Sequence, residues 1–164
     1  MERHRRPAIC QRGEKILGLV DELKGQRICI DTAPIIYFIE QNVKYRDVIR
    51  PVFVEIDSGN IEAITSTITL LEVLVHPLRT GDEVLAEKYR DILLSSKGLT
   101  TFEIFHEVSE MASRLRAKYS IRTPDAIQIA VGIQYGAGNF LTNDPSLRKV
   151  SEIKVLILDD YLLE

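Results

Sequence analysis

The sequence predicts an α/β fold, with a largely parallel central sheet and helices on both faces. Two observations carry that expectation. Short strand-like runs, apolar at Arg27–Ile30, Asn139–Thr142 and Lys154–Leu158 and rich in β-branched residues at Ile61–Thr67, alternate with segments of helical periodicity. One of those segments, Thr123–Tyr135, has little polar face, because Ala126, Ile127, Ile129, Ala130, Val131 and Ile133 fill it. Such a helix is expected to be largely buried.

Taken in order, residues 1–13 carry Arg3, His4, Arg5, Arg6 and Arg12 and read as a basic flexible tail, with 14–164 as one folded domain. Ile16, Leu17, Leu19, Val20 and Leu23 recur at helical spacing over Glu14–Lys24, and Gly25 stands where a helix stops. The first strand ends abruptly on Asp31-Thr32-Ala33-Pro34. Pro34 suits the first turn of a helix that Ile35, Ile36, Phe38 and Ile39 bury. Val48, Val52 and Ile56 continue the helical pattern over Tyr45–Asp57, in which Pro51 is a candidate break, and Ser58-Gly59-Asn60 is a turn.

After the second strand, Thr69–Glu72 opens a helix that Pro77 is expected to close near His76. Gly81-Asp82 starts another, with Val84, Leu85, Ile92 and Leu93 on one face. Leu99–Phe102 is a weaker strand candidate. Phe105, Val108, Met111, Ala112, Leu115 and Tyr119 then form the stripe of an amphipathic helix.

The composition, 45% apolar and 27% charged, is that of an ordinary soluble protein. No apolar run approaches the ~18 residues of a membrane span, and the basic N-terminus lacks the apolar core of a secretory signal. A cytoplasmic protein is expected. Cys10 and Cys29 make neither a disulfide framework nor a metal-ligand spacing. A net charge of −3 excludes coating nucleic acid by bulk electrostatics but leaves room for handling it through local basic groups and bound metal.

Four acids stand out by position. Each has a plain structural reading: Thr69 and Glu72 fit a capping box, Thr123-Pro124-Asp125 a capped helix start, Asp144-Pro145 an aspartate cap, and Asp31 a turn. Those readings do not explain why all four fall at strand-to-helix junctions or helix starts of one sheet edge. In a parallel sheet that edge is where ligands bind. Carboxylates gathered in one crevice raise each other's pKa, and a divalent cation removes that cost. Oxygen-only ligation suits Mg²⁺ or Mn²⁺. The chemistry this suggests is metal-dependent phosphodiester hydrolysis.

At these residues the chain resembles the PIN-domain family, and in particular its VapC-type toxin ribonucleases. The matching pieces are Ile30-Asp31-Thr32-Ala33-Pro34 with Tyr37-Phe38-Ile39-Glu40, and Thr65-Ser66 with Thr69 and Glu72-Val73-Leu74. Pro124 to Ala130 and Phe140-Leu141-Thr142-Asn143-Asp144 follow in the family's order. The resemblance implies a three-layer α/β/α sandwich that binds Mg²⁺ or Mn²⁺ and cleaves RNA. It implies Asp31, Glu72, Asp125 and Asp144 as catalytic and metal-binding acids, with Ser66 and Thr142 as supporting polar groups. It also implies a homodimer and a small antitoxin partner. After Asp144 the chain reads Pro145-Ser146-Leu147-Arg148, without the further acid of some relatives. Arg114, Arg116 and Arg122, near the helix that starts at Asp125, are candidate RNA contacts.

The alternative from a different class is a PIN-like RNA-binding or complex-forming module without nuclease activity. A haloacid-dehalogenase-like phosphatase is excluded by Ala33, where that pattern wants a second aspartate. A receiver domain is excluded because the last strand runs into Asp159-Asp160 rather than a lysine, and no glycine-rich phosphate loop follows any strand.

Overall fold

The structure is a computed structural model that describes residues 18–162. The expected basic tail and the first turn of the helix expected over Glu14–Lys24 lie outside the described residues. Residues 18–23 are helical (α1) and lead through Gly25, whose φ of 73° is left-handed, into β1 (Arg27–Ile30). Then come α2 (Thr32–Ile39), α3 (Arg46–Asp57), β2 (Glu62–Ser66), α4 (Thr67–Thr80) and α5 (Glu83–Ser95). The chain continues through β3 (Leu99–Phe102), α6 (His106–Tyr119), α7 (Thr123–Gln134), β4 (Asn139–Thr142) and β5 (Lys154–Ile157). Short 3₁₀ turns at Pro145–Lys149 and Leu158–Tyr161 follow β4 and β5.

The five strands form one sheet in the order β3-β2-β1-β4-β5, and every pair is parallel. Side chains alternate across a strand, so each strand feeds two cores. Ile28, Ile30, Ala63 and Leu141 point to one side, with Leu19, Leu23, Ile35, Ile49, Val52 and Tyr89 of the helices. Cys29, Ile64 and Phe140 point to the other, with Val108, Leu115, Ala126, Ile129 and Val131. The result is the expected three-layer α/β/α sandwich, its sheet covered by α6 and α7 on one face and by α1, α2, α3 and α5 on the other.

Four local expectations fail, each for a physical reason. Pro51 does not break α3, because Val48, Ile49, Val52, Phe53 and Ile56 bury that helix on both sides of it. Pro77 does not close α4 near His76: it is buried, and the helix runs on to Thr80 and ends at Gly81 in the left-handed conformation (φ 73°). In both helices tertiary burial outweighs the backbone hydrogen bond that proline forfeits. Ser66 rather than Thr69 caps α4, accepting from the Ile68 N–H at 3.3 Å, so Thr69 and Glu72 form no capping box. The α7 cap is Arg122, extended at φ −68° and ψ 156°, and Thr123 is already helical.

The packing of α7 on β1 is close. A Cβ on Gly132 would lie 2.9 Å from Cys29 Cβ and 3.2 Å from Ile153 Cδ1, so no larger residue fits without movement. This contact sets how far α7, and hence Asp125 at its start, stands from the central strand.

Candidate active site

β1, β2 and β4 are neighbours, and each hands its chain to a helix or turn at the same edge. The ladder continues past β1, where the Asp31 N–H donates to the Leu141 carbonyl at 2.9 Å. Asp31 caps α2, its Oδ1 accepting from the Thr32 N–H at 2.7 Å. Its Oδ2 accepts from the Thr142 hydroxyl at the end of β4, at 2.6 Å. Because α7 leads into β4 by a short turn, its N-terminus returns to this edge and brings Asp125. Asp144 follows β4, caps the next turn through the Ser146 N–H at 2.9 Å, and donates its own N–H to Thr142 at 3.1 Å.

Glu72 reaches the site from the exposed side of α4 and accepts from the Thr32 hydroxyl. Behind it lies a buried polar network absent from the expectations. Thr65 donates to the Ile30 carbonyl at 2.9 Å and bonds Thr69 at 2.8 Å, and Thr69 lies 3.3 Å from the Thr32 hydroxyl. Gln128, 1% exposed, accepts from Ser66 at 2.8 Å and donates to Thr69. One signal for it exists in the sequence: Gln128 follows Asp125 by three residues, hence on the same helix face, and is the polar exception in an apolar run. Every buried side-chain polar atom described has a partner, as a rigid support requires.

The electrostatics tie the acids together. Burial pushes the Asp31 carboxyl up to about 6; hydrogen bonds from Thr142 and the Thr32 N–H oppose this, and the charges of Asp125 and Glu72 add to it. Asp125, 6% exposed, is gripped by Arg122, whose Nε and Nη2 donate to its two oxygens at 2.9 and 3.1 Å. The same guanidinium lies 3.9 Å from Asp144 Oδ2. Asp125 first, then Asp144 and Asp31, hold the Arg122 pKa above its usual value. Among the described residues, no three His, Cys, Asp or Glu side chains stand together as a ready metal-holding group.

Of the three candidate arginines, Arg122 alone contacts the acids. Arg114 pairs with Glu110 at 3.8 Å on the exposed face of α6, and Arg116 donates to the Ile121 carbonyl at 3.2 Å. Beside Asp144, Asn143 donates to the Tyr45 hydroxyl at 2.7 Å and accepts from the Asp159 N–H at 3.0 Å, which anchors the β4 exit to the end of the described chain. Chemically the edge offers an all-oxygen donor set, a carboxyl that burial holds against ionisation, and a long-armed guanidinium, that of Arg122, already in contact with it. Such a set matches a hard divalent cation.

A further recess opens between α2, α3 and α5. A cavity of about 370 Å³ has Tyr37, Phe38 and Ile49 in its wall and Arg46, Arg50 and Lys88 around it. No described helix is long and apolar enough to cross a membrane.

The sequence profile of the PIN domain family matches residues 28–153. No curated protein matches the chain in sequence. Among solved structures, the chain is similar to one in VapBC2 from Rickettsia felis bound to a DNA fragment from their promoter, at a TM-score of 0.63 and 15% identity, covering 80% of this chain and 98% of that one. A chain of a toxin-antitoxin complex from Klebsiella pneumoniae gives 0.61 and 16%, covering 80% and 97%. One in DNA-bound VapBC from Salmonella typhimurium gives 0.59 and 16%, covering 81% and 98%. At these identities the likeness is one of fold.

Proposed function

Because the chain belongs to the PIN domain family, we propose that it is a metal-dependent endoribonuclease that hydrolyses RNA phosphodiester bonds, the toxin of a toxin-antitoxin pair. The observation that carries the reading is the set of acids at one sheet edge, with Asp31 raised to about 6 chiefly by burial and further by the charges of Asp125 and Glu72. Asp31, Glu72, Asp125 and Asp144 are the residues that would hold Mg²⁺ or Mn²⁺. A divalent cation bound there supplies the positive charge that hydrolysis of a phosphodiester needs.

The chain's own groups do the rest. Asp31 is held from two sides, by the α2 backbone and by Thr142, so its oxygens are fixed before substrate arrives. Thr32 orients Glu72, and the Thr69–Gln128–Ser66 network keeps α4 and α7 at a set separation. Asp125, buried at a helix start, orders its carboxylate at little entropic cost. The antitoxin partner is expected to occupy the acid edge and, with a further segment, the recess between α2, α3 and α5, where Arg46, Arg50 and Lys88 favour apolar and acidic side chains. The Klebsiella pneumoniae neighbour, a toxin-antitoxin complex, supports this reading.

The test is cleavage of single-stranded RNA by the purified chain with Mg²⁺ or Mn²⁺. Activity is expected to stop in EDTA, and to fall at least about 100-fold in Asp31→Asn and in Asp125→Asn while circular dichroism stays native. Cleavage that persists in EDTA, or full activity in both variants, would sink the reading. A second reading, an RNA-binding or complex-forming module without nuclease activity, is favoured by the grip of Arg122 on both oxygens of Asp125. Mn²⁺ calorimetry separates the two: RNA affinity without any Mn²⁺ binding would favour the second.

A further inference from the structure

A guanidinium sits in the middle of the acid edge. Arg122 Nε and Nη2 take the two oxygens of Asp125 side-on, and Nη2 lies 3.9 Å from Asp144 across the crevice. Bidentate pairing of this kind is the strongest geometry an arginine and a carboxylate adopt. Its carboxylate partner is nearly inaccessible, with 8% of its side chain exposed, whereas the Arg122 side chain is 75% exposed. The acid is fixed and the cation is hinged. Arg122 is the α7 cap and makes no side-chain capping bond, so nothing in the helix start requires the guanidinium to stay where it is.

We propose that Arg122 is a built-in counter-ion of the acid site, which a divalent cation displaces on binding. This rests on the metal-dependent reading above. Without metal, the guanidinium offsets the charge that Asp125 and Asp144 place beside the half-buried Asp31. A cation that ligates Asp125 meets a positive group on the same two oxygens, and like charges at that separation repel strongly in a partly dry site. Arg122 must therefore swing outward as metal enters. Released, its guanidinium stands at the rim of the site, where a phosphate of the RNA would be. The device lowers metal affinity and couples metal entry to the appearance of a phosphate-binding group.

Calorimetric titration with Mn²⁺ alone, on wild type, Arg122→Ala and Arg122→Lys, tests this. Arg122→Ala is expected to bind Mn²⁺ at least about fivefold tighter than wild type, the gain from removing a modest competing ion pair. Arg122→Lys, a point charge that cannot grip both oxygens, is expected to fall between them. In EDTA, Arg122→Ala is expected to unfold a few degrees below wild type, with the gap closing at saturating Mn²⁺. Mn²⁺ binding by Arg122→Ala alone would also support the proposal. Equal or weaker binding by Arg122→Ala, with wild type still binding, would overturn it and leave the metal-dependent reading standing. No binding by any of the three would overturn both.

Discussion

At the residue scale, Asp31 is where stability and activity pull apart. Its carboxyl is raised from 3.8 to about 6, chiefly by burial. The folded state therefore holds a proton that the unfolded chain has lost between about pH 4 and 6, and stability falls as pH rises through that window. Above it, the ionised carboxylate costs up to about 3 kcal/mol in the metal-free protein. Asp31→Asn removes the charge but gives up one of two accepted hydrogen bonds, worth about 1 kcal/mol. The variant is expected to be more stable than wild type in EDTA at pH 7 by about 1–2 kcal/mol, with the gain gone below about pH 4, as urea denaturation across pH reads directly. Asp31 itself was legible, because an apolar run that stops on an acid and a helix-starting proline has few other uses. Gln128 was not, since a glutamine in an apolar helix gains its meaning from Ser66 and Thr69, about sixty residues away in sequence.

At the scale of elements, the strands and most helices are legible in the sequence, because periodicity reports burial and burial built them. Pro51 and Pro77 are not, since local propensity there argues for a stop and packing carries the helix through. The caps of α4 and α7 are ambiguous too, because several hydroxyl and acidic residues stand within one turn of each start. Spacing between elements was invisible altogether. The α7-to-β1 approach at Gly132 is the clearest case, and it makes a prediction. Alanine improves helix propensity there by about 1 kcal/mol but forces a contact of 2.9 Å with Cys29. Gly132→Ala is expected to lose about 1–2 kcal/mol net in thermal unfolding, and to lower RNA cleavage further than stability alone accounts for, because Asp125 moves with the helix.

At the scale of the molecule, α4 turns an apolar stripe outward. Leu71, Val75 and Leu78 are 61%, 45% and 51% exposed and recur at helical spacing, on the helix that also carries Glu72. A homodimer, if the chain forms one, is expected to bury that stripe. Leu78→Glu is expected to convert a dimer to a monomer in light scattering while the chain stays folded; a dimer of undiminished mass would place the interface elsewhere. If the stripe does pair, two acid edges sit on one particle, each beside the other copy's α4.

The strand order has a consequence for how the protein is born. β1, which carries Asp31, lies at the centre of the sheet, between β2 and β4, and the Asp31–Thr142 hydrogen bond closes across 111 residues of chain. Long-range parallel pairings of this kind are slow to form. A nascent chain emerging from the ribosome has Asp31 first but cannot seat β4, Thr142 or Asp144 until more than a hundred further residues have been made. Truncation before Asn139 is thus expected to leave a chain without the native circular dichroism or any cleavage. Synthesis itself becomes the interval during which the acid edge is incomplete, and a partner translated alongside has that interval in which to arrive.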